Sequence, residues 1–353
     1  MAKRKSKKKN QRNKLLLLIL LLSLSVLLLV MSTYAWFTSN RNVSVETLDV
    51  NVSTVNGLQI STDASNWKAR VLKTDIQNAS YTSGVARNFL PDVLDHMSTA
   101  GNVTGGYLDM YHGVVSANEA TGIYTLTTTK TRETSRTGSC TGTACAAVMN
   151  SDGVTIDEDQ ILFVAFDLYF KVDAATPIVL TKDSKVDQVR DTSDPTDVDT
   201  GIKNTVRVAF VYEGNVGPGS SAASAQALNA GSNVIIWEPN MDTHTQAGII
   251  NATTNYGVTP TASGGSALSY KGVNSVIPSP GVNISQTNSS AYFTTVNPTI
   301  KTAYGFTTDQ TFTTLAPGIT KYRVYWWVEG QDVDTENGAT GKHMTLDLAF
   351  SIA

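Results

Sequence analysis

A chain of 353 residues with 41% hydrophobic content has ample material for a buried core, in one elaborated domain or two smaller ones. Charged residues make up only 16%, and the polar remainder is rich in Thr, Ser, Asn and Gly, a mix that favours strands and turns over helices. Eight of the 27 basic residues precede residue 15, leaving 19 basic against 30 acidic in the rest, a balance of −11 that argues against nucleic acid as a partner, because phosphates demand clustered Lys and Arg.

The basic head runs directly into residues 15–31, LLLLILLLSLSVLLLVM, an apolar stretch of 17 residues. That length is near the lower limit for a helix crossing about 30 Å of hydrocarbon. Basic residues held on the cytoplasmic side place everything that follows outside, so the segment reads as an export signal. Ala35, with Thr33 two residues before it, offers a cleavage point that leaves Trp36 as the mature terminus. The alternative is an uncleaved anchor, with Tyr34, Trp36 and Phe37 as an interfacial aromatic belt. Both readings put the body at the cell surface or beyond it.

The body begins with VSVETLDVNV, where Val43 and Val45 share one alternation phase and Leu48, Val50 and Val52 share the other. A single buried face then demands a bulge or a break near Glu46 and Thr47. GLQIS is a shorter strand candidate, and FLPDVLDHM predicts a turn or two of helix, limited by Pro91. Long polar stretches follow at roughly 98–122, 129–158, 214–231 and 240–300. They suggest insertions at 98–158 and 214–300 with hairpins of their own.

Cys140 and Cys145, with four residues between them in a Gly/Thr-rich loop, suit a local disulfide in an oxidising space, with two free thiols as the alternative. ILFVAFDLYFKV alternates Leu162, Val164, Phe166, Leu168, Phe170 and Val172 against a second phase that turns polar only at Asp167 and Lys171, the pattern of a central strand. PIVLTK, NTVRVAFVY, NVIIWEP and YRVYWWVEG are further strands. Trp326 and Trp327 must face opposite ways, one into the core and the other outward or covered. The acidic segment EGQDVDTENG offers Asp332, Asp334 and Glu336 as a calcium candidate, but its spacing fits a calcium loop poorly, and a solvated turn between strands is favoured. MTLDLAFSI closes the chain with Met344, Leu346, Leu348, Phe350 and Ile352 on one face. Together these elements predict an all-β fold, an antiparallel sandwich of the jelly-roll kind in residues 36–353, with an Ig-like arrangement equally compatible with the spacing.

Catalytic signals are missing. The four histidines are scattered singly, and there is no HExxH pair, GxSxG elbow or phosphate-binding glycine loop, so neither an enzyme nor a cofactor is expected.

The segment TYAWFT after a basic, leucine-rich leader, followed by VETLDVNV, resembles the start of the TasA/camelysin family of secreted bacterial biofilm-matrix and surface proteins. The closing VYWWVEG and MTLDLAF look like the last hairpin of related surface proteins. The resemblance covers about the first 60 and last 35 residues. It implies processing by a SipW-type signal peptidase and a jelly-roll protomer that polymerises by donor-strand complementation with copies of itself. The donor would be residues 36–50, carrying Phe37, Val43, Val45, Leu48 and Val50. The metalloprotease activity ascribed to camelysin is not carried over, because no matching ligand set is present. The rival expectation is a displayed adhesin or carbohydrate-binding module, motivated by the long polar stretches and by tryptophan.

Overall fold

The computed structural model describes residues 43–353 except 54–56, 83–85, 119–122, 132, 134–138, 142–144, 146–160, 247, 251–270, 284–288, 333 and 336–341. The leader, Ala35, Trp36, Phe37 and Glu336 therefore lie outside the described residues. The first part of the chain forms β1 (Val43–Val52), β2 (Gln59–Ser61), β3 (Arg70–Leu72), α1 (Lys73–Gln77), β4 (Phe89–Leu90), β5 (Val93–Leu94), β6 (His96–Ser98), β7 (Val103–Thr104) and β8 (Tyr107–Leu108). Next come β9 (Tyr111–Asn118), β10 (Ile123–Lys130), β11 (Cys140–Thr141), β12 (Val164–Val172), β13 (Thr176–Leu180), β14 (Lys185–Val189) and β15 (Val206–Val216). The remainder forms α2 (Ala222–Gln226), β16 (Ser232–Glu238), β17 (Lys271–Val273), β18 (Ile277–Val282), β19 (Phe293–Thr295), β20 (Ile300–Lys301), β21 (Gln310–Leu315), β22 (Gly318–Glu329) and β23 (His343–Ile352).

These strands build two large sheets whose facing sides form the main core. Sheet one has the order β21-β13-β23-β1-β3, with β14 on β23 and β5 on β1. Sheet two is centred on β12, β22 and β15, which pair antiparallel along most of their length. The all-β sandwich expected from alternation is what the chain adopts. Its two layers are joined by aromatic rings: Phe170 of sheet two meets Phe350 of sheet one at 5.2 Å, and Phe210 meets Phe312 at 4.9 Å, both edge to face. Such geometry suits the ring quadrupoles and adds to area burial.

The two sheets differ on their outer sides. In β23 the residues Thr345, Asp347, Ala349 and Ser351 stay partly exposed, the simple pattern of a sheet with one face in water. In β12 eight of nine residues are buried, because a second core packs Phe89, Met97, Met110, Phe163, Tyr325 and Trp327 against the outer side of sheet two. Trp326 lies in the core between the sheets and Trp327 in this second one, both fully buried. The bridged pair Cys140 and Cys145 is buried there too.

FLPDVLDHM forms β4, β5 and β6 instead of helical turns. Pro91 breaks the segment, and its residues find partners across both sheets: Phe89 opposite Ala165, Leu94 opposite Val43, and His96 beside Val328. Paired backbone in a buried crossing satisfies more donors and acceptors than one isolated turn of helix. The described parts of 98–158 and 214–300 are likewise woven into the body, since β9 pairs with β6 and β10, and β16 with β15. No helix among the described residues is long and apolar enough to cross a membrane.

Candidate functional site

Three places carry unusual chemistry or topology. The first is the seat of β1. This strand lies inside sheet one, parallel to β23 on one side and antiparallel to β3 and β5 on the other. Val43, Val45, Leu48, Val50 and Val52 all point into the main core and are buried. A register shift against β23 between Val45 and Thr47 reconciles their two phases, and Glu46 and Thr47 are both exposed at that point. The irregularity is a bulge, so the strand continues through it. On the solvent side Asp49 meets Arg70 at 2.6 Å and Glu46 meets His343 at 3.2 Å. Past β1, Ser53 N–H still donates to Phe350 O, and the chain next joins sheet two as β2.

The second is the acidic turn after β22, and here the solvated-turn expectation is overturned. Glu329, Asp332 and Asp334 are buried. Asp332 Oδ2 accepts from Arg207 Nη2 at 2.7 Å, and the same nitrogen lies 2.9 Å from Glu238 Oε1. Asp334 Oδ1 accepts from Thr245 N and Oγ1, while Oδ2 accepts from Asn204 Nδ2 and faces His244 Nδ1 at 3.1 Å. The turn is held by partners from β15 and the 240s loop that no local pattern reveals. Burial pushes the Asp332 carboxyl up against the opposing pull of Arg207. For His244, burial acts downward, but its hydrogen bond to Asp334 and the nearby carboxylates win and raise it.

His244, Asp332 and Asp334 present ligand atoms within 4.8 Å of one another, a set a metal ion could use. Both Asp334 oxygens are already doubly engaged, and Asp332 spends Oδ1 on the Asp334 N–H and Oδ2 on Arg207. A carboxylate has about four lone-pair positions, so a cation would have to strip existing donors from Asp334. The arrangement acts as a clamp between β15, β22 and the 240s loop.

The third is a polar pocket of about 210 Å³ on the outer side of sheet two. Its floor comes from Asp167 on β12, Lys321 and Arg323 on β22, and Glu213 on β15; Tyr81, Arg87, Tyr107, Gln226 and Asn229 form its walls. Glu213 owes its place to a bulge: Tyr212 pairs with Tyr322 and Gly214 with Lys321, leaving Glu213 as the extra residue. Its Oε2 accepts from Gly231 N–H, while Oε1 has no hydrogen-bond partner among the described residues. Burial lifts the Glu213 carboxyl to about 7, only partly opposed by Gly231 N–H and Lys321.

Asp167 is held the other way. Burial disfavours its charge, but Lys321 at 3.2 Å and Arg323 at 3.0 Å, with the Tyr81 hydroxyl, keep it below its ordinary value. Lys321 Nζ also donates to the carbonyls of Gln226 and Leu228, and Arg323 Nε donates to Glu133. Sequence reading missed this pocket, although it left a trace: Asp167 interrupts an otherwise apolar strand, and Lys321 and Arg323 alternate ahead of Tyr325.

Comparison with known protein families, with curated proteins and with solved structures finds no match for the chain.

Proposed function

We propose that the chain is an exported surface protein serving as the structural, non-catalytic subunit of a fibre or matrix, in which β1 of one copy completes sheet one of the next. The observation that carries this reading is the position of β1: the first described strand is an inserted, central one, running parallel to the last strand. No hairpin produces that pairing, so β1 is held by its groove and not by a tight turn. The jelly-roll protomer and the basic, apolar leader belong to the same reading.

Magnitudes favour a strand that is always supplied from somewhere. Five buried aliphatic side chains at about 1.5–3 kcal/mol each contribute about 7–15 kcal/mol. That is comparable to the whole net stability of a domain, about 5–15 kcal/mol, so a subunit with an empty seat would not persist. A neighbour's β1 makes the same contacts as the subunit's own, so the choice between them is set by concentration and by the link at 53–57.

Cysteines placed at the paired positions Asn51 and Arg70, on β1 and β3, test this in protein exported by a bacterial host with its own leader. Exchange between subunits produces an oxidised ladder of linked chains on denaturing gels, and fibres of the unaltered protein in electron micrographs. Links confined to single chains at every concentration, together with monomers only in the micrographs, would overturn the proposal.

A further inference from the structure

We infer that the pocket around Glu213 is a binding site for a neutral polyhydroxylated ligand, one sugar ring in size. The floor is built on three adjacent central strands of sheet two, and the walls come from loops, β8 and α2. Polar groups brought together from so many segments, with one buried carboxyl oxygen left without a partner, mark a site rather than a packing seam. Glu213 is 1% exposed, so that oxygen is not hydrated as a surface carboxylate would be.

Charge selects the ligand class. Arg87, Lys321 and Arg323 bring three positive charges to the pocket, while Asp167 and Glu213 line it and Glu133 sits behind Arg323. The signs nearly cancel. An anion would meet Asp167 and Glu213, and a cation would meet the three basic groups, so an ion of either sign pays no net attraction for losing its hydration. Hydroxyl groups both donate and accept, which suits a pocket lined by the Arg87 guanidinium, the Asn229 amide and the Glu213 carboxyl together. The half-neutralised state of Glu213 near pH 7 adds a group able to do either. At about 30 Å³ per water the space holds about seven waters, or one pyranose ring in their place.

Saturation-transfer NMR on the exported protein tests this with glucose, galactose, mannose and N-acetylglucosamine, and with galacturonate and glucosamine as charged counterparts. At least one neutral sugar should receive saturation and be displaced by no charged analogue at equal concentration. Arg87→Ala and Asn229→Ala change residues that are half-buried and exposed, so the fold is retained, and each should weaken binding about tenfold, the equivalent of one lost hydrogen bond. Binding should be unchanged in the Asn51→Cys, Arg70→Cys protein, which separates this site from strand exchange. The inference is overturned by absence of transfer to every neutral sugar, by stronger binding of a charged analogue, or by affinities unaffected in both alanine variants.

Discussion

Asp167 Oδ1 lies 3.0 Å from Arg323 Nη1 on the neighbouring strand, and both side chains are almost wholly removed from water. Arg323 also contacts Glu133 and donates to the Arg87 carbonyl, so one guanidinium ties β22 to β12 and to two loops. Removing one member of such a buried set leaves the other charges uncompensated. Arg323→Met should therefore destabilise the protein by about 3–5 kcal/mol in urea unfolding. Arg70→Met, which removes the exposed partner of Asp49, should leave the midpoint unmoved. Equal effects of the two substitutions would contradict the role assigned to burial.

Glu213 imposes a pH dependence whose sign can be worked out. Its carboxyl keeps a proton in the folded protein up to about 7, while in the unfolded chain it releases it near 4.5. Between those values the native state binds more protons, so stability falls as pH rises through this window, and the penalty is complete above it. Glu213→Gln cannot ionise, so it should gain on the parent protein by about 1–2 kcal/mol between pH 5 and pH 8, allowing for screening by water in the pocket. Chemical unfolding at several pH values measures the difference. A constant gap across that range would rule out the carboxyl as its source.

The clamp at Asp332 and Asp334 needs no cation. Millimolar calcium or a chelator should leave the thermal midpoint where it is. A bound ion at a hundredfold excess over its Kd would add about 2.7 kcal/mol, enough to move the midpoint by several degrees in a scanning experiment. A rise of that size with calcium, lost on chelation, would mean that the ion displaces donors now held by Asp334.

The bulge in β1 makes a prediction about chain length. Glu46 and Thr47 together face Thr345, so deleting Thr47 restores strict alternation with Val43, Val45, Leu48, Val50 and Val52 still inward. That deletion should cost no more than about 1 kcal/mol, the scale of a surface loop change. Deleting Asp49 instead turns Val50 and Val52 outward and should cost at least about 3 kcal/mol. Thermal melts of the two proteins should differ accordingly. The reverse order would mean that β1 is seated in another register.

Much of the sandwich was legible because alternation is a local property. β12, β15, β22 and β23 read directly from their apolar phases, Trp326 and Trp327 on opposite faces follow from strand geometry, and the phase change at Glu46 and Thr47 announces the bulge. The short strands β4, β5 and β6 were not legible. Each is two or three residues long, and together they take partners in two different sheets, so local preference for a turn misled.

The functional chemistry divides along the same line. Hydrophobic period and turn residues act between near neighbours in the chain, and they suffice to specify the long strands, their faces and the irregularity in β1. Whether a charged residue faces water or a partner depends on segments far away in sequence: Arg207 reaches Asp332 across 125 positions, and Asn229 shares a pocket with Arg87. Only folding brings such groups within a few ångströms. Thus a turn written in solvent-loving letters becomes a buried clamp, and a glutamate with no distinguishing local pattern becomes an acid that burial lifts to about 7.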